Sequence, residues 1–191
     1  MSAFVEWLTL KSRKVVGFVG MPGAGKSTAV AVAKEFGPVV TMGDVIREEL
    51  KRRGLENTPE NSGAIARELR AVHGPTVVAV RCVEKIRRMD DPVVIVDGLR
   101  SLAEVREFRR AFDQFLVVAV LADERRRHEW MLQRGREDDP VRPEDLLERD
   151  RREREFGIEE VLASANYSIN NDGDVAELEF RTRALLRKIV G

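Results

Sequence analysis

The chain has 191 residues, and its 33 basic and 33 acidic side chains cancel to a formal net charge of zero, which leaves no whole-chain attraction to nucleic acid or to an anionic membrane surface. Cys82 is the single cysteine, so an internal disulfide and a multi-cysteine zinc site are excluded and a reducing, cytoplasmic setting is expected. The length suits one domain with its own core, and no run approaches the ~20 apolar residues of a membrane span.

Residues 1–13 hold Phe4, Val5, Trp7, Leu8 and Leu10, but Glu6 interrupts them and no small-residue cleavage site follows, so the segment does not read as a signal peptide. A contact between two copies through Phe4, Trp7 and Leu8 would give a homodimer; without it the chain is expected to be a monomer. Val15 to Val19 is an apolar, β-branched run that ends in a glycine-rich loop, and Val30, Ala33 and Phe36 give helical spacing between Lys26 and Phe36. Gly37-Pro38 stops this helix. Val39 to Thr41 form a second strand candidate, and Asp44 opens a charged helix that runs through Arg53 to a stop at Gly54.

Between Asn57 and Met89 two helices are expected, one carrying Ile65 and Leu69 and one carrying Val78, Cys82 and Ile86, separated at His73-Gly74-Pro75. Val93 to Val96, Phe115 to Leu121 and Tyr167 to Ile169 supply three more strands. The first two are nearly continuous apolar runs, as strands covered on both faces are. Five strands interleaved with helices predict a parallel α/β sheet. From Asp123 to Glu155, 22 of 33 residues are charged, so this stretch reads as two solvated helices separated near Pro140 and Pro143.

Gly20-Met21-Pro22-Gly23-Ala24-Gly25-Lys26-Ser27 satisfies G-x-x-x-x-G-K-[ST] with a strand before it and a helix after it, the context that makes the pattern a phosphate loop. Glycines let backbone N–H groups turn inward around phosphate oxygens, and the helix N-terminus adds positive potential. Lys26 is expected to reach the β- and γ-phosphates of ATP, Ser27 to offer its hydroxyl to Mg²⁺, and Thr28 to support the α-phosphate or cap the helix. Asp97, at the end of the third strand, is placed to hold Mg²⁺ through water. ATP and Mg²⁺ are the cofactors these residues call for.

Met42-Gly43-Asp44-Val45-Ile46-Arg47 resembles the Gly-Asp-x-x-Arg start of the acceptor helix in nucleoside monophosphate kinases, and Asp97-Gly98-Leu99-Arg100 resembles their Asp-Gly-x-x-Arg strand end, here one residue shorter. Ala165-Asn166-Tyr167-Ser168-Ile169-Asn170-Asn171-Asp172-Gly173 is similar to the last strand and base-side loop of dephospho-CoA kinases. Together with Gly17 to Thr28, Met42 to Arg53 and Arg134-Gly135-Arg136-Glu137-Asp138-Asp139-Pro140, these residues make the chain look like an uncharacterised archaeal group related to both, over roughly Val15 to Ile189.

The resemblance implies a P-loop NTPase fold, a three-layer α/β/α sandwich around a five-stranded parallel sheet. Its core would take in about residues 14–43, 90–122 and 156–191, with an acceptor-binding helical insert at about 44–89 and a helical lid at about 123–155. It implies a small-molecule kinase whose acceptor is a small nucleotide-type molecule. Arg47 and Arg100 would grip the acceptor phosphate, and Arg134, Arg136 and Arg149 would close over the transferred group. Trp130 would stack on adenine or else pack inward beside Met131 and Leu132, and Asn171 and Gly173 would flank the base.

Asp44 would be a base if the acceptor were a hydroxyl, as in dephospho-CoA kinases, and a positioner or helix cap if it were a phosphate. Arg47 and Arg100 have a competing reading as surface partners of Glu48 and Glu104. Arg125, Arg126, Arg127, Arg151, Arg152 and Arg154, set among acidic neighbours, read as surface pairs. Cys82 and His73 read as ordinary structural residues. A third reading, without phosphoryl transfer to an acceptor, is a switch protein that hydrolyses ATP slowly.

Overall fold

The computed structural model describes residues 13–134 and 142–191. Five parallel strands, β1 (Lys14–Val19), β2 (Val39–Thr41), β3 (Val93–Asp97), β4 (Gln114–Leu121) and β5 (Tyr167–Asn170), form one sheet in the order β2-β3-β1-β4-β5. β1 is central, Gly17 pairing with Val96 on one side and with Val117 on the other. The helices are α1 (Lys26–Ala33), α2 (Met42–Arg52), α3 (Pro59–His73), α4 (Val77–Arg87), α5 (Leu102–Ala111), α6 (Glu124–Arg134), α7 (Pro143–Glu155), α8 (Ile158–Ala163) and α9 (Val175–Val190).

Alternate residues of β1 serve opposite layers. Val15 and Val19 pack into an apolar cluster with Val78, Cys82 and Ile86 of α4 and Val105 and Phe108 of α5, whereas Val16 and Phe18 pack with Ala29 and Val30 of α1 and Leu178 and Leu186 of α9. Both faces are therefore covered, which is why β3 and β4 read as unbroken apolar runs. The result is the expected three-layer P-loop sandwich. Ile65 and Leu69 anchor α3 to the first cluster, as Val45 and Leu50 anchor α2.

Three helices were not placed from the sequence: α5, α8 and α9. Two of them carry readable start signals. Ser101 Oγ accepts from the Glu104 N–H while the Glu104 carboxylate accepts from the Ser101 N–H, and Asp174 Oδ1 accepts from the Glu177 N–H at 2.8 Å. At the other end of the sheet, buried Arg13 ties the start of β1 to the end of α4 by donating to the carbonyls of Ile86, Met89 and Asp91. Burial pushes the Cys82 thiol up to about 12, which leaves it an unreactive core residue. Among the described residues no helix is long and apolar enough to cross a membrane.

Candidate active site

β1 delivers the chain to the C-terminal edge of the sheet, and the loop from Gly20 closes onto the first turn of α1. Gly25, the residue before that helix, has φ 93°, and Gly23 has φ 77°. A Cβ on Gly25 would lie 2.5 Å from Asn171 Nδ2, and one on Gly23 would lie 2.8 Å from the Arg127 carbonyl oxygen. Backbone angle and available space thus both require glycine. The loop carbonyls are engaged by surrounding donors. Ala24 N donates to Met21 O at 3.0 Å, Arg127 Nη1 to Pro22 O at 2.7 Å and Asn171 Nδ2 to Ala24 O at 3.0 Å, and Thr28 N and Ala29 N both donate to Gly25 O. Carbonyls held outward in this way are what an anion-binding loop requires, although the Ala24 N–H is itself spent on Met21 O.

Asp97 pairs across the sheet with Phe18 of β1, so the end of β3 stands beside the loop. Lys26 Nζ donates to Asp97 Oδ1 in a close ion pair. The lysine expected on the phosphates here rests on the carboxylate expected at the metal. Ser27 and Thr28 occupy the first turn of α1. Among the described residues no group of three or more His, Cys, Asp or Glu could hold a metal ion. The Ser27 hydroxyl and Asp97 carboxylate nevertheless fit Mg²⁺, a hard cation that takes one or two protein oxygens and fills its shell with phosphate oxygens and water.

Gly20 to Thr28 line a cavity of about 210 Å³ together with Gly98, Leu99, Arg100, Arg149, Glu153 and Ile158. Two of the expected arginines, Arg100 and Arg149, are therefore brought to the phosphate loop from different elements. Arg100 Nε is 3.5 Å from Glu153 Oε2, and its guanidinium lies 5.6 Å from the Phe156 ring centroid, which Arg70 approaches to 5.9 Å. Glu104 does not pair with the Arg100 side chain. Its Oε2 instead accepts from the Arg100 backbone N–H at 2.9 Å and so fixes the start of the loop after Gly98. Burial raises the Glu104 carboxyl above its ordinary range, against the bonds from Arg100 N and Ser101 N.

Asp44 and Arg47 lie in the first turns of α2, outside this cavity but at the same sheet edge, because Thr41 pairs with Asp97. Asp44 Oδ1 accepts from Arg47 Nε at 3.0 Å and from Arg47 Nη2 at 2.5 Å. Glu48, the expected competitor for Arg47, pairs with Lys85 at 2.9 Å.

On the other side of the loop, Trp130, Gln133, Asn171, Gly173 and Val175 line a second cavity of about 490 Å³ with Gly25 and Thr28. Trp130 faces this space half-buried, while Met131 takes the core position. The Arg126 guanidinium lies 5.2 Å from the Trp130 ring centroid and also donates to Asp172 O. Asn171 does more than flank this space, since its amide holds the Ala24 carbonyl. Arg134 is the last residue of α6, and Arg136 lies outside the described residues.

The row of arginines in α6 and α7 divides. Arg125 pairs with Glu129 at 3.0 Å, Arg151 with Glu155 at 3.3 Å, and Arg154 with Glu124 at 2.8 Å and Glu159 at 2.9 Å, all at the surface as expected. Arg127 does not belong with them. It is 3% exposed, and its Nη1 and Nη2 donate to Asp150 Oδ1 at 3.1 Å and Oδ2 at 2.7 Å, where the carboxylate is fully buried. His128 Nε2 lies 3.2 Å from the same Oδ2. Burial by itself would raise the Asp150 carboxyl, but the bonds and charge of Arg127, with a smaller contribution from His128, hold it below its ordinary range.

A central parallel strand, a glycine loop closed onto a helix N-terminus and an acid at the end of the neighbouring strand define a P-loop protein with a kinase-type fold. The chain belongs to the family described as AAA domain, whose profile matches residues 19–147, and to the UPF0200 proteins of archaea. It is 46% identical over 180 residues to a UPF0200/UPF0201 protein of Archaeoglobus fulgidus, a match covering 92% of this chain and only 56% of that longer protein. It is 43% identical over 180 residues to a UPF0200 protein of Hyperthermus butylicus, covering 94% and 96% of the two chains. Among solved structures it is similar to TT1252 of Thermus thermophilus, with a TM-score of 0.63, 25% identity and coverage of 95% and 100%. It shares its fold with a gluconokinase of Sinorhizobium meliloti, at a TM-score of 0.56, 16% identity and coverage of 94% of each chain. A shikimate kinase of Bacteroides thetaiotaomicron shares it at a TM-score of 0.53, with 17% identity and coverage of 92% and 98%.

Proposed function

We propose that the chain is an ATP- and Mg²⁺-dependent phosphotransferase that moves the γ-phosphoryl group to a small nucleotide-type acceptor. The observation that carries this reading is a single cavity lined by the phosphate loop with its lysine and by two arginines from separate elements, Arg100 and Arg149. A phosphoryl group in transfer spreads negative charge over its oxygens, and cations fixed around it stabilise that charge without reorganising. Lys26 would exchange Asp97 for the β- and γ-phosphates, and Asp97 and Ser27 would be the residues to hold Mg²⁺. Mg²⁺, if held there, would supply charge neutralisation to the phosphates.

In this reading Asp44 and Arg47 belong to the acceptor insert at about 44–89, and Arg149, Arg134 and Arg136 to the lid at about 123–155. The lid excludes water that would otherwise hydrolyse ATP. The adenine occupies the second cavity against Trp130. ATP should quench the fluorescence of the unmodified chain and leave that of Trp130→Phe nearly constant. Equal quenching in both would remove Trp130 from the site.

The ion pair within α2 favours a phosphate acceptor over a hydroxyl. A phosphate is already an anion and needs an oriented guanidinium, whereas a hydroxyl benefits from an unengaged carboxylate. Asp44 Oδ1 accepts twice from Arg47 and so acts as the orienting group. Labelled ATP offered with nucleoside monophosphates, with dephospho-CoA or with no acceptor tests this, and transfer to the monophosphates alone is expected. Transfer to dephospho-CoA alone would replace the proposal with ribose phosphorylation, and release of free phosphate without transfer would replace it with an ATPase switch.

A further inference from the structure

The loop carbonyls are not all held by the loop itself. Those of Met21 and Gly25 accept from backbone N–H groups close in sequence, but those of Pro22 and Ala24 accept from side chains of distant elements, Arg127 and Asn171. A carbonyl oxygen swung toward the phosphates would repel them, so an anion-binding loop works only with its carbonyls turned out and its N–H groups turned in. Pro22 has no N–H to contribute, and the orientation of its carbonyl is fixed from α6.

We propose that Arg127, held in place by Asp150, is a positioning residue that sets the phosphate loop in its anion-binding shape and aims Arg149 at the same cavity. Three bonds leave the guanidinium, two to the Asp150 carboxylate and one to Pro22 O. Two helices and the loop meet in that one group. Helix α6 lies directly on the loop, since a Cβ on Gly23 would come 2.8 Å from the Arg127 carbonyl oxygen and 3.0 Å from the Met131 side chain at Cγ. Arg149 precedes Asp150 in α7, and Glu153 follows it by one turn; both line the phosphate cavity. Fixing Asp150 therefore fixes the rotation of α7 that presents them.

A buried ion pair is a costly way to pack two helices, and apolar residues of similar volume commonly do it as well or better. What Leu or Met cannot do is present a planar fork that serves a carboxylate and a loop carbonyl together. The groups facing the pair include His128, which shares Asp150 Oδ2, Glu124, whose Oε2 lies 3.8 Å from Arg127 Nη2 at the half-exposed rim, and Arg154, which pairs with Glu124 and feels the Asp150 charge.

The inference rests on the loop being the triphosphate site, but its test reads binding and not transfer. A chain that binds ATP and phosphorylates no acceptor would sink the proposed function and leave this inference standing. The variants are Arg127→Met, Arg127→Lys and the double Arg127→Met/Asp150→Leu, each measured for thermal midpoint and for Kd toward ATP and adenosine. Arg127→Met should weaken ATP by about 30-fold, the scale of one lost charge-assisted hydrogen bond, and adenosine by less than about twofold. The double variant buries no unpaired carboxylate, so it should recover the parental midpoint and still bind ATP about 30-fold more weakly. Arg127→Lys keeps the charge but not the fork and should lose about tenfold at a nearly unchanged midpoint. A folded double variant with ATP affinity within about threefold of the parent would overturn the proposal, since pure packing would then account for the pair. If the double variant does not fold, parental ATP affinity in Arg127→Lys overturns it equally.

Discussion

Lys26→Ala is expected to weaken ATP binding by about 10³-fold, enough to remove the calorimetric signal at ordinary protein concentrations. Two effects add. In the proposed function the substitution removes the ammonium meant for the outer phosphates, and it leaves Asp97 uncompensated beside the space those phosphates would enter, because Lys26 Nζ pairs with Asp97 Oδ1. Asp97→Asn separates them. In that variant Lys26 loses its resting partner and remains available to phosphates, so ATP should bind without metal at least as tightly as to the parent while the gain on adding Mg²⁺ shrinks. Lys26→Ala/Asp97→Asn should then recover the part of the loss that came from charge repulsion, at least about fivefold, which corresponds to the ~1 kcal/mol between two charges ~4 Å apart in water. A Kd for ATP within about threefold of the parent in Lys26→Ala would take the lysine out of the site.

The sheet and the glycine loop were legible because their signals are local. β1, the loop and α1 occupy one stretch of twenty residues, and strands buried on both faces announce themselves as apolar runs whatever their neighbours. The start of α2 was misplaced by two residues because α2 follows β2 with no intervening loop, at Met42 instead of Asp44. The missed helices α5 and α9 had their signals in plain view, in Ser101 with Glu104 and in Asp174 with Glu177.

Arg127 is a different case. Arg125, Arg126 and Arg127 are chemically identical neighbours, and what separates them is helical phase and a partner 23 residues later. The phase could have been read: Arg127 stands four residues before Met131, and Asp150 four after Leu146, and both apolar residues are buried. The composition of α6 and α7 concealed it, because in a segment two-thirds charged the few inward positions are outnumbered and the solvated face dominates the pattern. Interactions made across long sequence separations, such as Arg127 with Pro22 and Asn171 with Ala24, have no periodic signature.

Arg100→Met should lower kcat/KM for the acceptor by about 10²-fold while changing the Kd for ATP by less than about threefold, since the proposed function gives its guanidinium to the acceptor and the substitution leaves the phosphate loop intact. A hundredfold loss is about 2.7 kcal/mol, within the range of one bidentate charge-assisted contact to a phosphate. The side chain is half-exposed in the structure, resting 3.5 Å from Glu153 and against Phe156, so it can reach an incoming anion with little desolvation. Its removal also strips Glu153 of a cation, and a bare carboxylate in a phosphate cavity would itself repel substrate. Adding Glu153→Gln distinguishes the causes. If Arg100 grips the acceptor, Arg100→Met/Glu153→Gln stays within about threefold of the single variant; if Arg100 only neutralises Glu153, the double variant regains most of the parental kcat/KM. Arg100→Lys should recover the charge but not the fork, leaving a deficit of about tenfold that appears in the acceptor KM more than in kcat. A deficit seen only in kcat would move Arg100 from the acceptor to the group in flight, because a contact made solely in the transition state leaves ground-state binding untouched.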